Sequence, residues 1–190
     1  MVLMKRESNK VKVSNLPSGL LKTQLERCIY LLGEEYSKID YTIKFFSKKR
    51  EFVEEKRNNP AKTYVDKLGE GRTVAGITIA DTREIIILLY QFDEPMVNKG
   101  EMINLIATIF HEMRHAWQFD KMAPEKLLDK DSSIFSLENY FEEEYEKDAY
   151  LFQLKQMNKH MAAIKRICNI KQNIHYELKE EIMTAINKNA

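Results

Sequence analysis

The stretch Glu101–Gln118 constrains the chain more than any other. Met102, Leu105, Ile106, Ile109, Met113, Ala116 and Trp117 recur at i, i+3, i+4, i+7 spacing, the period that gathers apolar side chains on one side of an α-helix. A helix with such a stripe draws most of its stability from packing that side against other elements. The same helix carries His111-Glu112-Met113-Arg114-His115. Histidines four residues apart stack on one helix face, so both imidazoles can reach a single cation. Glu112 is displaced by about 100°, which puts it beside such a cation rather than on it.

Around this helix the chain alternates between helical and strand patterns. Residues 1–15 form a polar lead-in or a short edge strand. Leu21, Leu25, Cys28, Ile29 and Leu32 predict a helix over about 20–32 that weakens at Gly33. Tyr41–Phe46 suits a strand, and the charged run 47–58 suits a helix with Ser47 as its cap and Asn58-Asn59-Pro60 as its stop. Val74–Ala80 and Glu84–Tyr90 are rich in β-branched and apolar residues, with a turn at Ala80-Asp81-Thr82-Arg83, and predict a β-hairpin. A loop over 119–135 precedes a helix from Ser136, along which Leu137, Phe141, Tyr145, Asp148 and Phe152 share a face. A last helical region is expected from Met161 to Asn187. The order predicts one α+β domain over the 190 residues. In it a small sheet containing an antiparallel pair packs on the central helix, with further helices at the C-terminus. Its parts are an N-terminal helix and strand region (1–70), a core (74–155) and a C-terminal helical extension (156–190).

The histidine pair sets the chemistry. H-E-x-x-H suits zinc, which takes neutral imidazole nitrogens at about 2.0–2.1 Å. A catalytic site needs a third protein ligand and an open position. Gln118 and Lys121 stand where a metzincin would place glycine and its third histidine, so that arrangement is excluded. The ligand must then come from a later helix, with Glu138, Glu142, Glu143, Glu144 and Glu146 as candidates. Glu146 is preferred, because Ala149 is small enough to let two helices approach and Phe152 anchors the same helix. Glu142, one turn earlier, is the alternative. Zinc bound by His111, His115 and Glu146 would acidify a bound water, with Glu112 as the general base that takes its proton. Asp148 is read either as orienting a ligand histidine or as an ion-pair partner, Arg114 as a structural ion-pair residue, and Trp117 and Met113 as core.

H-E-x-x-H followed by Glu146-x-x-Ala149-x-x-Phe152 on the next helix resembles the compact gluzincins, including the ImmA/IrrE-type metallopeptidases and the minigluzincins. The resemblance covers roughly residues 74–155. It implies a zincin-like fold, one zinc ion and hydrolysis of a peptide or protein substrate. It also implies that Val74–Ala80 forms the rim of a cleft on which a peptide adds as an extra strand. An oxyanion-stabilising side chain is expected nearby. Tyr140 is favoured for this among Tyr140, Tyr145, His160 and His175. One alternative is a metal-stabilised regulatory or binding protein on a peptidase-like scaffold, latent if the C-terminal helices cover the cleft. Another is a helical interaction module without metal.

Charge and composition narrow the classes. Lys and Arg number 30 against 29 Asp and Glu, a net charge of +1, which lacks the basic excess of nucleic-acid binders. No run approaches the roughly 20 apolar residues that span a bilayer. The opening MVLMKRESNKVKV has no apolar stretch of secretory length, so a cytoplasmic location is expected. Cys28 and Cys168 form no C-x-x-C unit. They are expected to be buried free thiols, with a disulfide compatible but not implied.

Overall fold

The computed structural model describes residues 11–16, 22–59, 74–95, 97–121 and 144–187. In chain order these form β1 (Lys12–Ser14), α1 (Lys22–Tyr30), α2 (Glu34–Ser37), β2 (Thr42–Phe46) and α3 (Lys49–Asn58). They continue with β3 (Gly76–Ile79), β4 (Glu84–Leu88), α4 (Lys99–Lys121), α5 (Glu144–Ile167) and α6 (Glu180–Asn187). The α+β class is as expected, and so is the hairpin. The sheet is mixed, in the order β1-β2-β4-β3, with β3 antiparallel to β4 and the other pairs parallel. The expected helix start at Ser136 lies outside the described residues, together with Leu137, Tyr140, Phe141 and Glu142. No helix among the described residues is long and apolar enough to cross a membrane.

The sheet is buried on both faces around β4, which explains why Ile85-Ile86-Ile87-Leu88 shows no alternation. Ile85 and Ile87 join Ile43 and Phe45 in the main core, against Leu105, Ile106, Ile109 and Phe110 of α4. Ile86 and Leu88 point the other way, into a smaller core with Phe46 and with Phe52 of α3. Ile77 and Ile79 of β3 pack on that smaller core. The alternate residues Gly76 and Thr78 therefore face α4.

Three of the differences from the sequence reading have a clear local reason. First, α1 ends early, and Gly33, at φ +93°, turns the chain into α2. Second, Ser47 does not cap α3. Lys48 is the cap residue, and the Glu51 carboxylate reaches back to accept the backbone N–H groups of Ser47 (3.1 Å) and Lys48 (3.2 Å). Third, the expected helical region from Met161 to Asn187 is divided. Cys168 N–H still bonds Ile164 O, and Asn169 then adopts φ +55°. Ile170 N–H closes back on Lys165 O at 2.8 Å and Asn169 N–H on Arg166 O, the Schellman arrangement in which asparagine can replace glycine. The chain is then non-helical until Glu180.

The buried seam of α5 also differs from the Tyr145–Asp148–Phe152 face. It runs through Glu146, Ala149, Gln153, Met157, Ile164 and Ile167. Two polar residues occupy it because each has buried partners: Glu146 has the two histidines, and Gln153 has the Tyr176 hydroxyl. Apolar periodicity alone does not reveal such a seam.

Because Phe52 anchors α3 on the face of the sheet away from α4, Phe52→Ala is expected to lower stability by about 3–5 kcal/mol in urea unfolding. Metal affinity at the site below should stay within about twofold, since distant, independent sites behave additively. A parallel loss of metal affinity would show that the two cores are not independent.

Candidate metal centre

His111 and His115 lie one turn apart on α4, and Glu146 lies in the first turn of α5. The two Nε2 atoms are 3.0 Å apart. Glu146 Oε2 is 3.3 Å from His111 Nε2, and Glu146 Oε1 is 3.3 Å from His115 Nε2. All three residues are buried, at 6%, 7% and 3% exposure, so water does not stabilise their charges.

The protonation of His115 follows from its neighbour. Gln118 Nε2 donates to Asp148 Oδ2 (2.7 Å) and to the carbonyl of Tyr145 (2.9 Å). Both are acceptors only, which fixes the orientation of the amide. Gln118 Oε1 therefore faces His115 Nδ1 at 2.8 Å and must accept its hydrogen. A neutral His115 would then aim a bare Nε2 lone pair at His111 Nε2 and at a carboxylate. That arrangement is repulsive unless a proton or a metal ion sits among the three. Burial works against charge on His115, but the Glu146 carboxylate outweighs it and raises the imidazole to about 9. Burial alone would raise the Glu146 carboxyl, yet the two histidines hold it far below the usual carboxylate range. Glu146 Oε2 and His111 Nδ1 are buried without a hydrogen-bond partner among the described residues. The ligand atoms of His111, His115 and Glu146 all lie within 4.8 Å of one another. This donor set fits a metal ion, and the cluster can bind one.

A wider frame aligns the two helices. Arg114 donates to both Asp148 oxygens, Nε to Oδ2 at 2.6 Å and Nη2 to Oδ1 at 3.1 Å, while its Nη1 donates to the Tyr36 hydroxyl at 2.6 Å. The guanidinium lies over Trp117 (4.0 Å) and near Phe152 (5.1 Å). Asp148 thus serves both roles considered for it, pairing with Arg114 and orienting His115 through Gln118. Burial disfavours its charge, but the bonds from Arg114 and Gln118 keep its carboxyl below the usual range.

Glu112 is 5% exposed and faces β3. Thr78 Oγ1 lies 2.8 Å from Glu112 Oε2 and 3.0 Å from the Glu112 carbonyl. A Cβ on Gly76 would stand 2.7 Å from both Cγ and Oε1 of Glu112, so residue 76 must lack a side chain for the carboxylate to occupy this position. Burial pushes the Glu112 carboxyl up, while His111, His115 and the Thr78 bond pull the other way.

Of the proposed oxyanion partners, Tyr140 lies outside the described residues. The Tyr145 ring stands edge-on to His115 at 5.9 Å. α5 is continuous, so His160 sits about 21 Å along the axis from Glu146 and cannot reach the cluster. His175 is exposed on the segment after α5. Glu144 is also exposed, and Glu138, Glu142 and Glu143 are not among the described residues. Sequence reasoning missed Gly76, Thr78, Gln118 and Tyr150, whose ring packs on His111 at 4.3 Å. Two of these carried a readable signal: Tyr150 lies four residues after Glu146, and Gln118 three after His115, each on the same helix face. No family model, curated protein or solved structure matches the chain.

Native protein is expected to hold one metal ion per chain by mass spectrometry. Glu146→Ala should abolish this binding, and Gln118→Ala should weaken it by about 10–100-fold. Metal retained in full by Glu146→Ala would exclude Glu146 as a ligand. At pH 7, below the raised value for His115, the metal-free imidazolium must lose a proton to become a ligand. Binding should therefore release about one proton, and apparent affinity should rise with pH until about 9. Calorimetry in buffers of different ionisation enthalpy measures this release, and no release would contradict the inferred protonation of His115.

Proposed function

We propose that the protein is a zinc-dependent metallopeptidase with a compact, zincin-like core. The observation that carries the reading is the position of Glu112, a buried carboxylate next to a buried His2Glu cluster and held from the sheet by Thr78 and Gly76. A metal that served structure alone would need no such carboxylate. Zinc fits the two imidazoles and one carboxylate, and when bound there it would supply a water with a pKa of about 7.

The chain's own residues supply the remaining functions. Glu112 accepts the proton of the attacking water and returns it to the leaving amine. Thr78 and Gly76 keep its carboxylate in position. Gln118 holds His115 with Nε2 towards the cluster. Tyr150, whose ring packs on His111 at 4.3 Å, is the residue we assign to stabilising a developing oxyanion. Among the described residues β3 is one of the two end strands of the sheet, and a peptide substrate would pair with its outer edge through main-chain hydrogen bonds. A cytoplasmic location belongs to the same reading, supported by the two buried free thiols.

The deep burial of all four residues favours a second reading, a latent or purely structural metal covered by protein. X-ray absorption that finds a fourth protein ligand on the metal would mark that case. Glu112→Gln is expected to retain the metal and to lower hydrolysis of an identified peptide substrate by at least about 100-fold. Full activity in this variant would exclude the mechanism.

A further inference from the structure

We infer that Cys28 and Cys168 form a reversible disulfide under oxidising conditions, clipping α1 to the C-terminal end of α5. The two Sγ atoms are 4.0 Å apart although the residues are separated by 140 positions. Both thiols are free and buried. Gln24, one turn before Cys28, donates from Nε2 to the Ile167 carbonyl at 3.1 Å. The Gln24 side chain thus already ties α1 to the backbone of α5 beside the sulfurs. A disulfide needs a sulfur separation of about 2.05 Å, so the pair must close by roughly 2 Å. Small side-chain rotations on two helices already in contact supply a movement of that size.

The two cysteines are not equivalent in access. Cys28 lies inside the last turn of α1 at 1% exposure. Cys168, at 6%, is the residue where α5 terminates, beside the exposed Asn169. A residue just past a helix end opens more readily than one still within the helix, so Cys168 meets a small-molecule disulfide first. With oxidised glutathione as the oxidant, the Cys168 thiolate attacks one glutathione sulfur. The glutathione S–S bond breaks, a mixed disulfide forms on Cys168, and one glutathione leaves as thiolate and takes up a proton. The Cys28 thiolate then attacks the Cys168 sulfur and displaces the second glutathione. In sum, two protein thiols are oxidised to one disulfide and one oxidised glutathione is reduced to two thiols.

Glu146 lies at the other end of α5, 21 residues before Ile167 and about 30 Å away along the helix axis. The bond is therefore expected to stabilise the fold without altering the metal cluster. This inference does not depend on the proposed activity.

The test uses the full chain, purified reduced and incubated with oxidised glutathione. It is then denatured, alkylated and weighed intact, and a parallel sample is melted. The expected product has no alkylatable thiol, no bound glutathione and a mass lower by two hydrogens. Its Tm should be raised by roughly 5–15 °C and restored by dithiothreitol. Cys28→Ala should stop at one glutathione on Cys168. If that variant does not fold, the wild-type mass and melting data decide alone. Two thiols still alkylated in wild type, glutathione retained on it, or an oxidised form that melts lower than the reduced form would each overturn the inference.

Discussion

The bidentate contact between Arg114 of α4 and Asp148 of α5 is the constraint on which the site depends. The metal cluster is divided between these helices, with two ligands on one and the third on the other. A small slide of either helix would separate them. Arg114 prevents this from inside a cage of Tyr36, Trp117 and Phe152, where packing restricts the guanidinium and its planar fork matches the carboxylate. Asp148 is two residues from Glu146, and Gln118 is three from His115, so one polar seam fixes helix alignment and ligand orientation together.

That seam explains how so many polar groups sit inside a small domain. A buried imidazole or carboxylate is costly unless each of its polar atoms finds a partner. Gln118 is 1% exposed, yet three bonds account for its amide. Among the described residues three buried side-chain atoms lack such partners: Glu146 Oε2 and His111 Nδ1 on cluster residues, and His160 Nε2 far along α5. Of these, Glu146 Oε2 faces the cluster, where a cation would neutralise its charge. The same logic applies to β3, whose two small residues facing α4 leave room for the Glu112 carboxylate.

Much of this was legible in the sequence. Seven apolar positions at helical spacing identified α4, β-branched runs identified the hairpin, and the two histidines one turn apart identified the heart of the cluster. Glu146 was separable from its acidic neighbours because Ala149 and Phe152 follow it at i+3 and i+6. The α5 seam was misread because Glu146 and Gln153 break the apolar pattern that defines a buried face. The end of α5 was missed because an asparagine in the left-handed conformation has no counterpart in hydropathy.

What the sequence by itself determined is therefore local: which segments are helix or strand, and that His111, Glu112 and His115 share one helix. These follow from the backbone periods of about 3.6 and 2 residues, which act over a few positions. Only the tertiary structure decided that Gln118 orients His115 from a bond network reaching Asp148, that Gly76 and Thr78 seat Glu112, and that Cys28 meets Cys168. Apart from the three-residue step from His115 to Gln118, those contacts join residues 30 to 140 positions apart. No short-range period encodes them, because they arise only when the helices and the sheet close on a shared core.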